Sequence, residues 1–119
     1  MKQGIILFAH GSRDPEWTRP FERIAAALAA KLPATTVTLA YLEHGPSLNE
    51  GLAALAAKGV GSARVVPVFL GQGGHVKSDL PRLIGQARAF HPGMQVALDP
   101  VIGEQPAVIE AIAAAISAR

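Results

Sequence analysis

The feature that most constrains this chain is an alternation. Four short apolar runs, GIILFA (4–9), TVTLAYL (36–42), ARVVPVFL (63–70) and QVALDPV (95–101), are separated by longer segments whose apolar residues recur every three or four positions. The first and third runs are nearly continuous in large apolar side chains, which is how a strand covered on both faces reads. A strand–helix unit repeated four times implies a parallel sheet with right-handed crossovers. The pattern therefore predicts an α/β fold: a flavodoxin-like three-layer sandwich on a four-stranded parallel sheet of order 2-1-3-4. Pro67 removes a ladder donor, so the third strand is expected to end or bulge there. In this order ligands bind beyond the carboxyl ends of strands 1 and 3, where the direction of winding reverses.

The helical stripes are Phe21, Ile24, Leu28 and Leu32; Leu48, Leu52 and Leu55; Leu80, Leu83, Ile84 and Ala87; and Val108, Ile112 and Ile116. All four are expected to face the core. Asp14-Pro15 reads as a cap followed by proline at the first helical position, and Pro20 then implies a kink or a later start at Thr18. Ser47 with Glu50 has the spacing of a capping box. His91 is expected at a helix C-terminus, and Trp17 and Tyr41 are expected to close the core near the sheet's mouth.

Length and composition narrow the class. At 119 residues the chain fits one domain, 1–119. No run approaches the ~18 apolar residues of a membrane span, and with Lys2 followed at once by a strand-like run no secretory leader is expected. With no cysteine, disulfides and thiolate metal ligands are excluded together. A net charge of +2, with basic residues scattered, does not suggest nucleic acid. A cytoplasmic protein with no membrane partner is the expectation.

Chemistry gathers at the predicted strand ends. The first run leads into His10 in LFAHGSRDP, the second into Glu43 and His44 in YLEHGP, and the third into three glycines and His75 in FLGQGGHVKSDLP. Neighbouring strands lie ~4.8 Å apart, so imidazoles from strands 1 and 3 are able to touch one ion. Imidazole and carboxylate without sulfur suit cobalt, nickel, iron or zinc, and an incomplete ligand set leaves coordination positions open. The glycines permit close approach of a flat ligand to the backbone, and amides at a helix start favour an anion. GQGG matches neither the P-loop nor the dinucleotide fingerprint. Arg13, Lys77 and Arg82 stand near the mouth, as cations for an acidic ligand or as ordinary surface charges. Ser12 either binds such a ligand or caps the first helical turn.

Together LFAHGSRDP, YLE…PSL and FLGQGGHVKSDLP resemble the small CbiX-type sirohydrochlorin chelatases of the class II chelatase family, across essentially the whole chain. The resemblance implies a single chelatase-like domain and a lyase that inserts a divalent ion into sirohydrochlorin without ATP, in cobalamin or sirohaem biosynthesis. Cobalt is the leading ion, with iron and nickel as alternatives, and no organic cofactor is implied. It assigns His10 and His75 as metal ligands, His10 also as proton acceptor and Glu43 as the assisting carboxylate. Substrate contacts fall on Ser12, Glu43, His44 and the run Leu70, Gly71, Gln72, Gly73, Gly74 and His75. His44 is unusual beside the family pattern. A homodimer is also expected, because one lobe supplies only one wall for a macrocycle. Two other readings use the same residues: a metal-delivery protein, and a histidine phosphohydrolase. The AHG sequence resembles the phosphohydrolase start, but Ala9 stands where that chemistry needs an arginine.

Overall fold

The computed structural model describes residues 1–119, with the side chain of His75 excepted. Strands β1 (Gln3–Ala9), β2 (Thr36–Tyr41), β3 (Ser62–Pro67) and β4 (Gln95–Leu98) alternate with helices α1 (Pro15–Lys31), α2 (Leu48–Ala57), α3 (Gly74–Phe90) and α4 (Pro106–Ser117). The strands form one parallel sheet in the order β2-β1-β3-β4, as the alternation predicts. Ile6 sits opposite Thr38 on one side and Val65 on the other. β1 is buried from Gly4 to Ala9 because it has a neighbour on each edge and side chains packed on each face.

Alternation along the strands divides the core in two. Ile6, Phe8, Ala63 and Val65 pack with Leu52 and Leu55 of α2 and Leu80 and Ile84 of α3. On the opposite face Ile5, Leu7 and Val66 pack with Leu28 of α1. Phe8 and Leu52 are essentially sealed from water, and each such side chain contributes about 1.5–3 kcal/mol by leaving it. The capping box closes at both ends: the Glu50 amide donates to Ser47 Oγ at 3.1 Å, and the Ser47 amide donates to Glu50 Oε1 at 2.9 Å. The second bond holds the Glu50 carboxyl below its ordinary range, because it favours the charged form. Pro67 ends β3, where the missing donor costs least. His91 is the C-cap of α3.

Asp14 and Pro15 open α1 as expected, with Asp14 Oδ1 accepting the Glu16 amide at 2.9 Å, and the helix runs through Pro20 rather than starting later at Thr18. Two expectations need correction. Trp17 does not close the core; it is 52% exposed on the first turn of α1. The helical stripes are not all core either: on α1 and its C-cap, Ile24 and Leu32 are exposed, and the α4 stripe fails entirely. No residue of α4 is buried, and the helix packs on the 3-10 turn at Ile102–Glu104 rather than on a strand. Period three-and-four spacing marks an apolar face without specifying what covers it. Among the described residues, no helix is long and apolar enough to cross a membrane.

Candidate active site

Backbone pairing carries β1 and β2 past their formal ends. The Leu42 amide donates to Ala9 O at 2.9 Å and the Glu43 amide to His10 O at 2.8 Å. This extra rung sets Glu43 beside His10, and their side chains meet, His10 Nε2 to Glu43 Oε2, at 3.2 Å. Both remain open to water, with 50% and 60% of their side chains exposed. An exposed pair of this kind adds little to stability. Its interest is chemical: a carboxylate holds an imidazole in place where solutes can reach it.

The chain turns directly after His10 through Gly11, at φ +92°. A Cβ there would run into the Glu43 carbonyl oxygen and the Tyr41 side chain. Only glycine satisfies both the left-handed backbone and the close approach. The sequence pattern draws attention to Gly71, Gly73 and Gly74 rather than to Gly11, whose requirement is set by Tyr41 and Glu43 across the β1–β2 pairing. Ser12 makes a local bond, its Oγ accepting the Asp14 amide at 3.1 Å. Tyr41, by contrast with Trp17, is buried as expected, and that burial, with Glu22 nearby, raises its pKa.

After β3 the chain bends at Leu70 and Gly71, which with Gln72 are exposed, and Gly73 caps α3 with φ −76°. A Cβ at Gly71, Gly73 or Gly74 would meet nothing within 4 Å, and none of the three has a positive φ. Backbone strain is therefore not their reason; open space above the chain is what they leave. Gln72 Nε2 donates to Glu104 Oε1 at 3.0 Å, tying this segment to the turn before α4. His75 is the second residue of α3, eight positions beyond the end of β3, and its side chain, with the metal-ligand expectation that rests on it, lies outside the described residues. Among the described residues no three metal-binding side chains cluster.

His44 occupies the left-handed region at φ +65°, at a cost of roughly 1–2 kcal/mol for a residue with a Cβ. It is exposed on the tip of the loop between Glu43 and Pro46. Arg13 and Lys77 are exposed at the same end of the sheet, whereas Arg82 is turned to Asp79 on its own helix at 3.3 Å. A hollow of about 90 Å³ is lined by Phe8, Tyr41, Leu42 and Ser47, and a wider one of about 320 Å³ takes in Gln72 and Lys77.

A parallel sheet of this order, here with an imidazole–carboxylate pair at its switch point, superposes on a chelatase of known structure. The chain belongs to the CbiX family, whose profile matches residues 4–119. A sirohydrochlorin cobaltochelatase from Saccharolobus islandicus is 39% identical over 83 residues, covering 69% of this chain and 63% of that protein. This chain thus spans less than two-thirds of the length of the curated relative it matches. A CbiX protein from Marinobacter aquaeolei VT8 superposes with a TM-score of 0.85 at 34% identity, covering 97% of this chain and 94% of that one. The sirohydrochlorin chelatase SirB from Bacillus subtilis subspecies spizizenii, solved in complex with cobalt, superposes with a TM-score of 0.83 at 26% identity. The match takes in 98% of this chain but 50% of SirB.

Proposed function

We propose that this protein is a sirohydrochlorin chelatase, a lyase that inserts a divalent ion into the macrocycle without ATP. The observation that carries the reading is the 3.2 Å pairing of His10 with Glu43 at the strand ends of a CbiX-family chain. Metal insertion must strip water from the ion and protons from the pyrrole nitrogens. Histidine exchanges protons near neutral pH and Nε2 is turned to Glu43, so the free nitrogen, His10 Nδ1, serves as acceptor. Glu43 orients the ring and stabilises the imidazolium that forms. His10 and His75 hold the incoming ion, which is substrate rather than resident cofactor. Cobalt leads, in keeping with the names of the relatives, and iron and nickel suit the same donors. No organic cofactor is invoked. The macrocycle lies against Gly71, Gly73 and Gly74, with Ser12, His44, Leu70 and Gln72 at its margin and Arg13 and Lys77 meeting its peripheral carboxylates.

In this reading residues 1–119 form one chelatase lobe, working in the cytoplasm as a homodimer in which a second copy supplies the other wall of the cleft. The test is spectral: purified protein with sirohydrochlorin and cobalt, iron or nickel in turn. Insertion faster than in a protein-free control is expected with at least one ion; no acceleration with any ion overturns the reading. Gly73→Val and Gly74→Val are expected to raise KM for the macrocycle severalfold without changing the urea midpoint, because each valine fills space that is open in the free protein. Unchanged KM in both would mean that the glycines serve only the turn.

A further inference from the structure

The proposed function draws on the ends of the first three strands and leaves the fourth unused. The chain leaving β4 turns back against the segment that leaves β3, and its 3-10 turn at Ile102–Glu104 has a footing on both faces of the sheet. Val101 is buried with Ile6 and Phe8 on one side, and Ile102 packs on Ile5, Leu7 and Val66 on the other. The Glu104 and Gln105 amides close the turn on the Val101 and Ile102 carbonyls at 3.1 and 3.2 Å. From this footing two contacts reach the glycine-rich segment. The Gly103 amide donates to Phe69 O at 2.9 Å, so close an approach that a Cβ on residue 103 would strike the Leu70 backbone. Gly103 has no positive φ, so it is space rather than backbone conformation that demands glycine here. Gln72 Nε2 donates to Glu104 Oε1 at 3.0 Å.

The segment itself has little else to hold it. The Val68 amide donates to Phe8 O at 2.8 Å and so ends the hold of β1; the Gly73 carbonyl accepts the Lys77 amide at 3.0 Å and so begins that of α3. Between these points, among the described residues, Leu70, Gly71 and Gln72 make no backbone hydrogen bond, and Leu70 is 74% exposed. Glycine at 71 and 73 widens the backbone's choices further. A stretch of this kind keeps one shape only where something outside it opposes the entropy of the alternatives. We infer that Glu104 is a positioning residue for the site: through Gln72 it holds residues 70–73 in the shape that receives the macrocycle, and Gly103 lets the turn come near enough to do so. The end of β4 borders the same place, since Leu98 and Val101 line the hollow that takes in Gln72 and Lys77. The inference rests on the placement of the macrocycle under the proposed function, and adds to it a residue from the fourth strand's loop that touches neither ion nor ring.

The test compares Glu104→Ala, which removes the acceptor, with Glu104→Gln, whose side-chain oxygen still accepts from the Gln72 amide. Glu104 is exposed, so neither change is expected to move the urea midpoint. Backbone amide relaxation by NMR reads the segment in the free protein. Order parameters over residues 70–73 are expected near the rigid value of ~0.85 in the parent and in Glu104→Gln, and below ~0.6 in Glu104→Ala. In insertion assays with an ion that the parent accepts, Glu104→Ala is expected to raise KM for sirohydrochlorin by roughly threefold to tenfold with kcat kept within about twofold, the pattern of lost binding rather than lost chemistry. Glu104→Gln is expected to restore KM, and Gly103→Ala, which must push Leu70 aside, to raise it at least as far as Glu104→Ala. Order parameters untouched by Glu104→Ala, a glutamine that fails to restore them, or a fall in kcat at unchanged KM would each overturn the assignment. The relaxation measurement uses neither macrocycle nor metal, which keeps the two readings apart. A parent inactive with every ion, whose order parameters nevertheless follow residue 104, would overturn the proposed function and support the hold of Glu104 on the segment.

Discussion

Replacing His10 with alanine is expected to lower metal insertion by about a hundredfold or more, the range lost when a positioned proton acceptor is removed. The fold should not notice. The His10 side chain is half exposed and its ion-pair partner is the still more exposed Glu43, so the urea midpoint is expected to stay within ~0.5 kcal/mol of the parent. Steady-state insertion at saturating metal separates the acceptor from a mere ligand, since excess ion compensates for weak binding but not for a missing base. His75→Ala, by contrast, is expected to weaken cobalt binding first and to lower turnover as well. Near-normal turnover of His10→Ala at saturating cobalt would remove the acceptor role. Cobalt affinity retained in the His10→Ala/His75→Ala double variant would remove the ligand role.

The largest effect on stability is expected at Gly11. Alanine there must adopt φ +92° and press on the Glu43 carbonyl at the same time. Strain of this kind costs about 1–3 kcal/mol, and the collision adds to it, against a total stability on the order of 5–15 kcal/mol. Gly59 supplies the control: its φ is +81°, yet a Cβ would meet nothing within 4 Å. Gly59→Ala therefore measures backbone strain alone, and Gly11→Ala is expected to be worse by ~1 kcal/mol or more in urea denaturation. Equal losses in the two variants would show that the Glu43 loop gives way freely and does not depend on the glycine. A larger loss that also abolishes insertion would locate the His10–Glu43 geometry in this single turn.

These residues show how much of the molecule was legible in advance. The sheet was readable because burial on both faces leaves a mark on every position of β1 from Gly4 to Ala9, and strand order follows from the alternation with few alternatives. The Ser47–Glu50 cap and the end of β3 at Pro67 were equally legible, being local chemistry that a few neighbouring residues decide. Gly11 was not singled out, because its requirement comes from Glu43, 32 positions away in sequence, and becomes apparent only once β2 is laid beside β1. For the opposite reason Gly73 and Gly74 invited a conformational argument that their negative φ does not support. The exposure of α4 was hidden by the same symmetry of information: a helix shows one apolar face whether its partner is its own sheet or another chain. Trp17 followed suit, a large aromatic read as core that stands in solvent on the first turn of α1.

The rung that extends β1–β2 pairing through His10 O and the Glu43 amide bears on how a reaction here would begin. His10 follows directly on Ala9, the last residue of the most deeply buried strand, so its Cα has the immobility of the core although its ring stands in water. Only side-chain torsions remain for an arriving solute to order. In the proposed role of His10 as proton acceptor, the entropy of placing its backbone would be lost during folding rather than at each turnover, and reorganisation at proton transfer would be confined to one ring and the carboxylate beside it.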